Sequence, residues 1–106
     1  MARLPGPYEL LDLQHEGAVA FRVVRFEEGD IEIKTTQVPE GKVVEVCRVH
    51  VPREDKPTAP FYWDITSKTL CAEILPHLKR PDLSRLRFKV TAFGVAPKKR
   101  FSLDIS

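Results

Sequence analysis

A single helical pattern stands in a chain that otherwise alternates like β-strands, and it limits the possible folds more than any other feature. Its apolar residues follow the spacing i, i+3, i+4 and i+7, which places them on one helix face: Cys71, Ile74, Leu75 and Leu78. Leu70 widens this face. The sequence therefore predicts one helix near residues 66–78, with this face buried against a sheet.

Caps and prolines mark the ends of this helix. Asp64 and Thr66 are both suitable N-caps, because a side-chain oxygen can accept a free backbone N–H of the first turn. Pro76 removes one backbone hydrogen bond and clashes with the preceding turn. We therefore expect the helix to kink or stop near Leu75.

Strand-like segments surround the helix. Alternating apolar and polar residues between Gly- and Pro-containing turns predict strands over residues 8–14, 18–26, 31–36, 43–51, 86–93 and 101–105. The alternation changes phase near residues 24–26, which indicates a bulge or a bend. Gly29, within residues 27–30, favours a hairpin loop there.

The resulting order is β-β-β-β-α-β-β, and its short connections favour a mainly antiparallel sheet. We predict an α+β domain, built as a small barrel like the oligonucleotide-binding (OB) fold or as a curved sheet with one helix packed on it. Residues 1–7 contain two prolines and little to bury. They predict a flexible N-terminal arm, followed by a single domain over residues 8–106.

Composition narrows the class of protein. The chain has 106 residues, of which 42% are hydrophobic and 30% charged, as expected for one folded domain. We expect a cytoplasmic protein, because no apolar run approaches the ~20 residues that span a bilayer and the N-terminus lacks a signal-peptide pattern. The absence of Asn and the nine prolines are typical of thermophile proteins.

Cys47 and Cys71 are the only cysteines. Cys47 lies in a predicted strand and Cys71 on the apolar helix face, so we expect two buried, reduced thiols. A disulfide between them is the alternative. No C-x-x-C spacing occurs and the three histidines are scattered, so the sequence indicates neither a metal nor another cofactor.

Positive charge is concentrated at the C-terminal end of the chain. The whole chain carries +2, but residues 1–40 sum to −4, residues 41–78 to zero and residues 79–106 to +6. In strand 86–93 and the following loop, cations and one aromatic ring occupy the positions expected to face outward. These residues are Arg87, Lys89, Phe93, Lys98, Lys99 and Arg100.

Such a strand face has two interpretations. Cations along a strand can follow the phosphates of a nucleic acid, and an exposed ring can stack on a base. Alternatively, the cations are ordinary solvated positions that protect a sheet edge from pairing. Strand alternation alone does not separate the two.

An aromatic cluster, Phe61-Tyr62-Trp63, precedes the helix. Successive side chains point in different directions, so at least one ring should pack under the helix. Tyr62 is the ring that we expect to be exposed, as a stacking surface for a base or an anchor for a protein partner.

A second group of basic residues lies on the neighbouring predicted strands: Arg22, Arg25, Arg48 and His50. They could extend a basic groove, but cross-strand pairs with Glu32 and Glu45 are the interpretation we favour.

No catalytic motif is present: the sequence contains no glycine-rich phosphate loop, no G-x-S-x-G and no H-E-x-x-H. We therefore predict a non-catalytic module that binds single-stranded DNA or RNA without strong sequence preference. The alternative is an accessory subunit that binds a protein through the aromatic segment 57–66. Salt dependence separates the two, because electrostatic binding of nucleic acid weakens steeply as salt rises.

Overall fold

The computed structural model describes residues 2–34, 36, 39–95 and 98–106. Thr35, at the end of a predicted strand, and Met1 of the predicted arm lie outside these residues. The elements are β1 (Ala18–Phe21), β2 (Arg25–Ile33), β3 (Lys42–His50), β4 (Tyr62–Ile65), α1 (Lys68–Leu78), a 3-10 turn (Leu83–Arg85), β5 (Phe88–Phe93) and β6 (Arg100–Ile105). Within this described part, no helix is long and apolar enough to cross a bilayer.

The six strands form two antiparallel sheets of three strands each, in the orders β1-β5-β6 and β2-β3-β4. The α+β class and the element order β-β-β-β-α-β-β are confirmed. The strands of the described residues do not join into one closed sheet.

Several strand boundaries differ from the prediction. The predicted strand 18–26 breaks at residues 22–24, next to the predicted phase change near residues 24–26, and its end begins β2. The predicted hairpin at 27–30 is continuous strand, because Gly29 pairs with Val46 in the middle of the β2–β3 ladder. Residues 8–14 make only an isolated bridge, whereas the aromatic cluster contributes β4.

One core joins the two sheets and the helix. Its buried side chains include Phe21, Val49, Ile65, Ile74 and Phe88, which come from both sheets and from α1. The helix packs on both β3 and β6 and so bridges the sheets. Burial of this shared apolar surface is what holds the two sheets together.

Helix α1 begins one residue after Ser67, whose side chain accepts a hydrogen bond from the backbone N–H of Leu70 at 3.2 Å. Asp64 and Thr66, the predicted caps, are not used. Of the predicted kink or stop near Leu75, the stop does not occur, because the helix continues through Pro76 to Leu78. Pro76 is exposed and lies close to the C-terminus, so its missing N–H costs one bond on the solvent side.

The predicted helix face is confirmed at three of its five positions, and the other two, Cys71 and Leu75, are only half-buried. Leu70, Ile74 and Leu78 are buried, whereas Cys71 is half-buried. Cys71 sits where the apolar face meets a surface pocket, which it helps to line.

Residues 2–11 pack along the β2–β3–β4 sheet, and we call them the N-terminal segment. Arg3 makes a parallel bridge with Asp30 of β2, and Leu10 makes one with Asp64 of β4. Because β2 and β4 are the two edges of this sheet, the segment crosses from one edge to the other. The sequence predicts an arm with little to bury over residues 1–7, but Leu4 is 6% exposed and packs on β2 and β3.

Candidate nucleic-acid interface

The side chains of β5 alternate between two different faces of the β1–β5–β6 sheet. Phe88, Val90 and Ala92 are fully buried in the core. Lys89 and Phe93 alternate with them and are exposed. This alternation follows from the period of two in a strand, and β5 shows it clearly because it is the central strand of its sheet.

Neighbouring strands extend the exposed side of β5 into a continuous surface. Their register places Lys89 beside Asp104 and Ala20, Thr91 beside Ser102 and Ala18, and Phe93 beside Arg100. We call this surface the outer face: Ala18, Ala20, Lys89, Thr91, Phe93, Arg100, Ser102 and Asp104.

Arg87 continues the outer face before β5 begins. It exchanges two backbone hydrogen bonds of 3.0 Å with Ser106, so the β5–β6 ladder extends beyond the named strands. By alternation, its exposed side chain lies on the same side as Lys89. Arg87, Lys89, Phe93 and Arg100 are therefore brought together as the sequence predicts.

The outer face combines cations, one open ring and small side chains. Phe93 is 44% exposed and lies beside Arg100 in the register. Alanine, serine and threonine at the neighbouring positions leave room above the sheet. The outer face and Arg87 together carry three cations and one carboxylate, Asp104, and a second carboxylate, Asp55, lies near Arg87, so the surface is positive overall.

The two loop lysines behave differently from each other. Lys98 is exposed, whereas the Nζ of Lys99 lies 3.1 Å from the Oδ1 of Asp12 in the segment that precedes β1. Asp12 is itself largely exposed. A surface ion pair of this kind contributes only ~0–1 kcal/mol, so Lys99 can exchange Asp12 for a phosphate at little cost.

Tyr62 does not belong to this surface, and the expectation that its ring is exposed was wrong. It lies on β4 of the other sheet and is half-buried. Its hydroxyl donates to the Pro7 carbonyl, the guanidinium of Arg48 lies 4.1 Å from the ring centre, and the His50 ring is 5.3 Å away. These contacts take up part of the ring and leave it less accessible than Phe93.

The other rings of the aromatic cluster also take part in the fold. Trp63 packs on the core, with its ring centre 5.4 Å from that of Phe21. Phe61 is half-buried, with the guanidinium of Arg53 5.0 Å from its ring centre. The segment 57–66 therefore presents less aromatic surface than its sequence suggests.

The second basic group is neutralised by acidic side chains, but not by the predicted ones. Arg22 pairs with Asp55 at 3.2 Å, and His50 pairs with Glu27 at 2.7 Å. Arg25 also pairs with Glu27, at 3.7 Å. The predicted partners are elsewhere, because the register places Glu45 opposite Asp30 and Glu32 opposite Val43.

Arg48 and Asp64 form a buried ion pair that sequence reasoning missed. The Arg48 Nε–Asp64 Oδ1 distance is 2.7 Å, and the two side chains are 2% and 0% exposed. Arg48 also donates to the Pro5 carbonyl at 2.8 Å, and Asp64 accepts from the Glu9 N–H at 3.0 Å. Burial alone would lower the pKa of Arg48, but the hydrogen bond and charge of Asp64 raise it. This pair fastens the N-terminal segment to the sheet.

Cys47 and Cys71 are not joined by a disulfide in this structure, and of the two only Cys47 is fully buried. Among the residues that the structure describes, no three His, Cys, Asp or Glu side chains converge on a common metal position.

Comparison with protein-family models, with curated proteins and with solved structures found no match to this chain.

Proposed function

We propose that the outer face binds single-stranded DNA or RNA without strong sequence preference. The observation that carries this proposal is the exposed Phe93 ring, set among cations on an open face of small side chains. A ring held on the central strand of a sheet is fixed by the backbone, so a base can stack on it at little entropic cost.

Two separable forces contribute to such binding. Arg87, Lys89 and Arg100 contact phosphates, and Lys98 and Lys99 extend the same charge beyond the end of β5. Stacking on Phe93 adds ~1–3 kcal/mol and works with any base. An OB-like curvature of the two sheets around their common core would suit this use. OB folds bind an extended single-stranded nucleic acid on an exposed face of their β-strands.

A protein partner at segment 57–66 is the weaker candidate. Tyr62 and Trp63 are engaged in contacts within the fold, and this leaves little of the segment free as an anchor.

Fluorescence anisotropy with a labelled single-stranded oligonucleotide tests the proposal across a series of salt concentrations. Phe93→Ala should weaken binding by ~1–3 kcal/mol without changing the slope of log K against log salt. Lys89→Ala should reduce that slope by about 0.7, the value for one phosphate contact on a single strand.

Lys42→Ala is the matched control, because Lys42 is also an exposed strand lysine but lies on the other sheet. The proposal fails if the wild type does not bind at low salt. It also fails if Lys42→Ala and Lys89→Ala have equal effects, since binding would then be a property of the whole surface.

A further inference from the structure

The two cysteines meet at a pocket on the side of the molecule formed by β2, β3 and α1. Cys47 comes from β3 and is 1% exposed, whereas Cys71 comes from the first turns of α1 and is half-buried. Both line a pocket of about 260 Å³. Cys47 pairs with Ile65 in the β3–β4 ladder, and the Cys71 Sγ lies 3.2 Å from the Ile65 carbonyl oxygen, so both cysteines lie against the same residue.

The surroundings of the two thiols change their pKa values in opposite directions. A hydrogen bond from the Cys47 thiol lowers the pKa of Cys71, and this effect outweighs burial, which acts in the opposite direction. The same contact, together with burial, raises the pKa of Cys47. When protonated, the Cys71 thiol donates to the Ile65 carbonyl at 3.2 Å. Cys71 is thus the more exposed of the two cysteines, and its contact with Cys47 favours ionisation of its thiol.

We propose that Cys71 is a nucleophilic thiol with Cys47 as its resolving partner, and that the pair exchanges with small disulfides that enter the pocket. This activity is separate from the proposed binding of nucleic acid, which uses the other sheet.

The exchange proceeds in two balanced steps. The Cys71 thiolate attacks one sulfur of the small disulfide, so a mixed disulfide forms at Cys71 and the other half leaves as a thiolate. Cys47 then loses its proton to solvent and attacks the Cys71 sulfur, which forms the Cys47–Cys71 bond and releases the second half. The protein dithiol loses two electrons, and the small disulfide is reduced to two thiols.

The second step becomes easier because of the first. Contact with the Cys71 sulfur is what chiefly raises the pKa of Cys47. Once Cys71 is a neutral mixed disulfide, it no longer draws the Cys47 proton toward itself, so Cys47 ionises more readily.

Charges around the pocket select the reagent. Glu28 and Glu45 face a single cation, Lys68, and the remaining walls are apolar: Val46, Ala72 and Leu75. A pocket with this balance favours a neutral or cationic disulfide over an anionic one.

Mass spectrometry of the native wild type treated with cystamine, a cationic disulfide, tests the two steps. We expect the product to lack both thiols and to carry no cysteamine, and early acid-quenched samples to carry the adduct on Cys71. An adduct that appears first on Cys47, a stable adduct that never closes, or two thiols that survive until denaturant is added would each overturn the proposal.

Single substitutions separate the roles. Cys47→Ser should stop at the mixed disulfide on Cys71, whereas Cys71→Ser should react at least about tenfold more slowly than the wild type, because Cys47 is buried. Circular dichroism establishes that each variant is folded, and the quenched wild-type samples give the order of attack without any variant. Equal rates for Cys71→Ser and the wild type would refute the assignment of Cys71.

Reagent charge tests the pocket itself. Each rate is divided by the rate of the same reagent with free cysteine, and cystamine is compared with dithiobis(nitrobenzoate), which is anionic. Glu45→Lys should lower the ratio of the normalised cystamine rate to the normalised dithiobis(nitrobenzoate) rate by a factor of roughly 3–5. Glu73→Lys makes the same change in charge on the exposed side of α1, outside this pocket, and should leave the ratio unchanged. Equal shifts in the two variants would show that the reagent does not enter here.

Discussion

The two sheets contribute one face each to a common core, but they differ in what lies on the other face. The N-terminal segment crosses the second face of β2–β3–β4, where Leu4 and Val46 are buried together. On β1–β5–β6, Lys89 and Phe93 of the outer face remain exposed. Similar strands of alternating residues thus give one covered and one open surface.

The pairing of charges also differs between the covered face and the outer face. On the covered face, Arg48 is buried and bound by Asp64, and His50 is bound by Glu27. A charge that is removed from water needs a partner, whereas an exposed charge does not. The segment that crosses the covered face therefore buries Arg48 and makes a partner necessary for it, whereas Lys89 on the outer face stays in water.

The largest expected effect comes from breaking the ion pair on the covered face. Asp64→Ala leaves Arg48 buried without its partner and should lower the free energy of unfolding by ~3–5 kcal/mol, measured by urea denaturation. Asp104→Ala removes a carboxylate from the open face and should change it by less than about 0.5 kcal/mol. Similar losses in the two variants would abolish the distinction between the faces.

Replacing both partners sharpens this prediction. Arg48→Met combined with Asp64→Leu removes the charges together, so the double variant should recover most of the stability that Asp64→Ala loses. A double variant as unstable as the single one would show that the pair contributes through its bonds to the N-terminal segment.

The second-largest expected effect comes from the core that the two sheets share. Ile74 is fully buried, so Ile74→Ala should cost ~2–5 kcal/mol in the same measurement. Glu73→Ala on the exposed side of α1 is the control and should be nearly neutral. A loss below about 0.5 kcal/mol for Ile74→Ala would mean that the helix face is wrongly assigned.

Contact between the N-terminal segment and β2 depends on a glycine. A Cβ at Gly29 would lie 2.6 Å from the Ala2 carbonyl oxygen and 2.8 Å from the Leu4 Cγ. Gly29→Ala should therefore cost ~1–3 kcal/mol and speed hydrogen exchange at the Leu4 amide, which donates to the Asp30 carbonyl.

Gly6→Ala is the matched control, because a Cβ there would meet only the Tyr8 ring edge at 4.0 Å. If Gly29→Ala is as stable as Gly6→Ala and the Leu4 amide exchanges no faster, the N-terminal segment does not cover this face in solution.

The open face was predictable from sequence because it depends on local alternation. Arg87, Lys89, Thr91 and Phe93 follow every second position along the β5 ladder, and a strand with one open face obeys that period. The apolar helix positions were predictable for the same reason, since Leu70, Ile74 and Leu78 repeat with the period of a helix.

The covered face was not predictable, because distant segments decide it. Asp64 looks like a helix cap when only its neighbours are considered, but its partners are Arg48 and the backbone of Glu9. Gly29 looks like a turn residue, but it is required by the passage of residues 2–4. A charged residue inside the valine-rich strand, Arg48, was the one local signal that this face is buried.

The smallest expected effect concerns the ion pair of Arg22 and Asp55. This pair lies where the β2–β3–β4 sheet meets the β1–β5–β6 sheet. Asp55 accepts hydrogen bonds from the Arg22 backbone N–H at 2.8 Å and from its Nε at 3.2 Å. Burial raises the pKa of Asp55, but these bonds and the nearby charges of Arg22 and Arg87 outweigh burial and lower it below its ordinary value of 3.8.

The folded state therefore binds the proton of Asp55 less tightly than the unfolded state, and the pair stabilises the fold at pH values above about 4. As the pH falls below 3.8, that contribution, ~0–1 kcal/mol for an ion pair with an exposed partner, is progressively lost. Denaturant unfolding of the wild type and Asp55→Asn between pH 3 and pH 7 measures it, with Asp104→Asn on the outer face as the control of equal charge. We expect the Asp55→Asn curve to lie below the wild type at pH 7 and to converge with it in acid. Parallel curves for the two proteins would show that this contact between the sheets carries no charge-dependent stability.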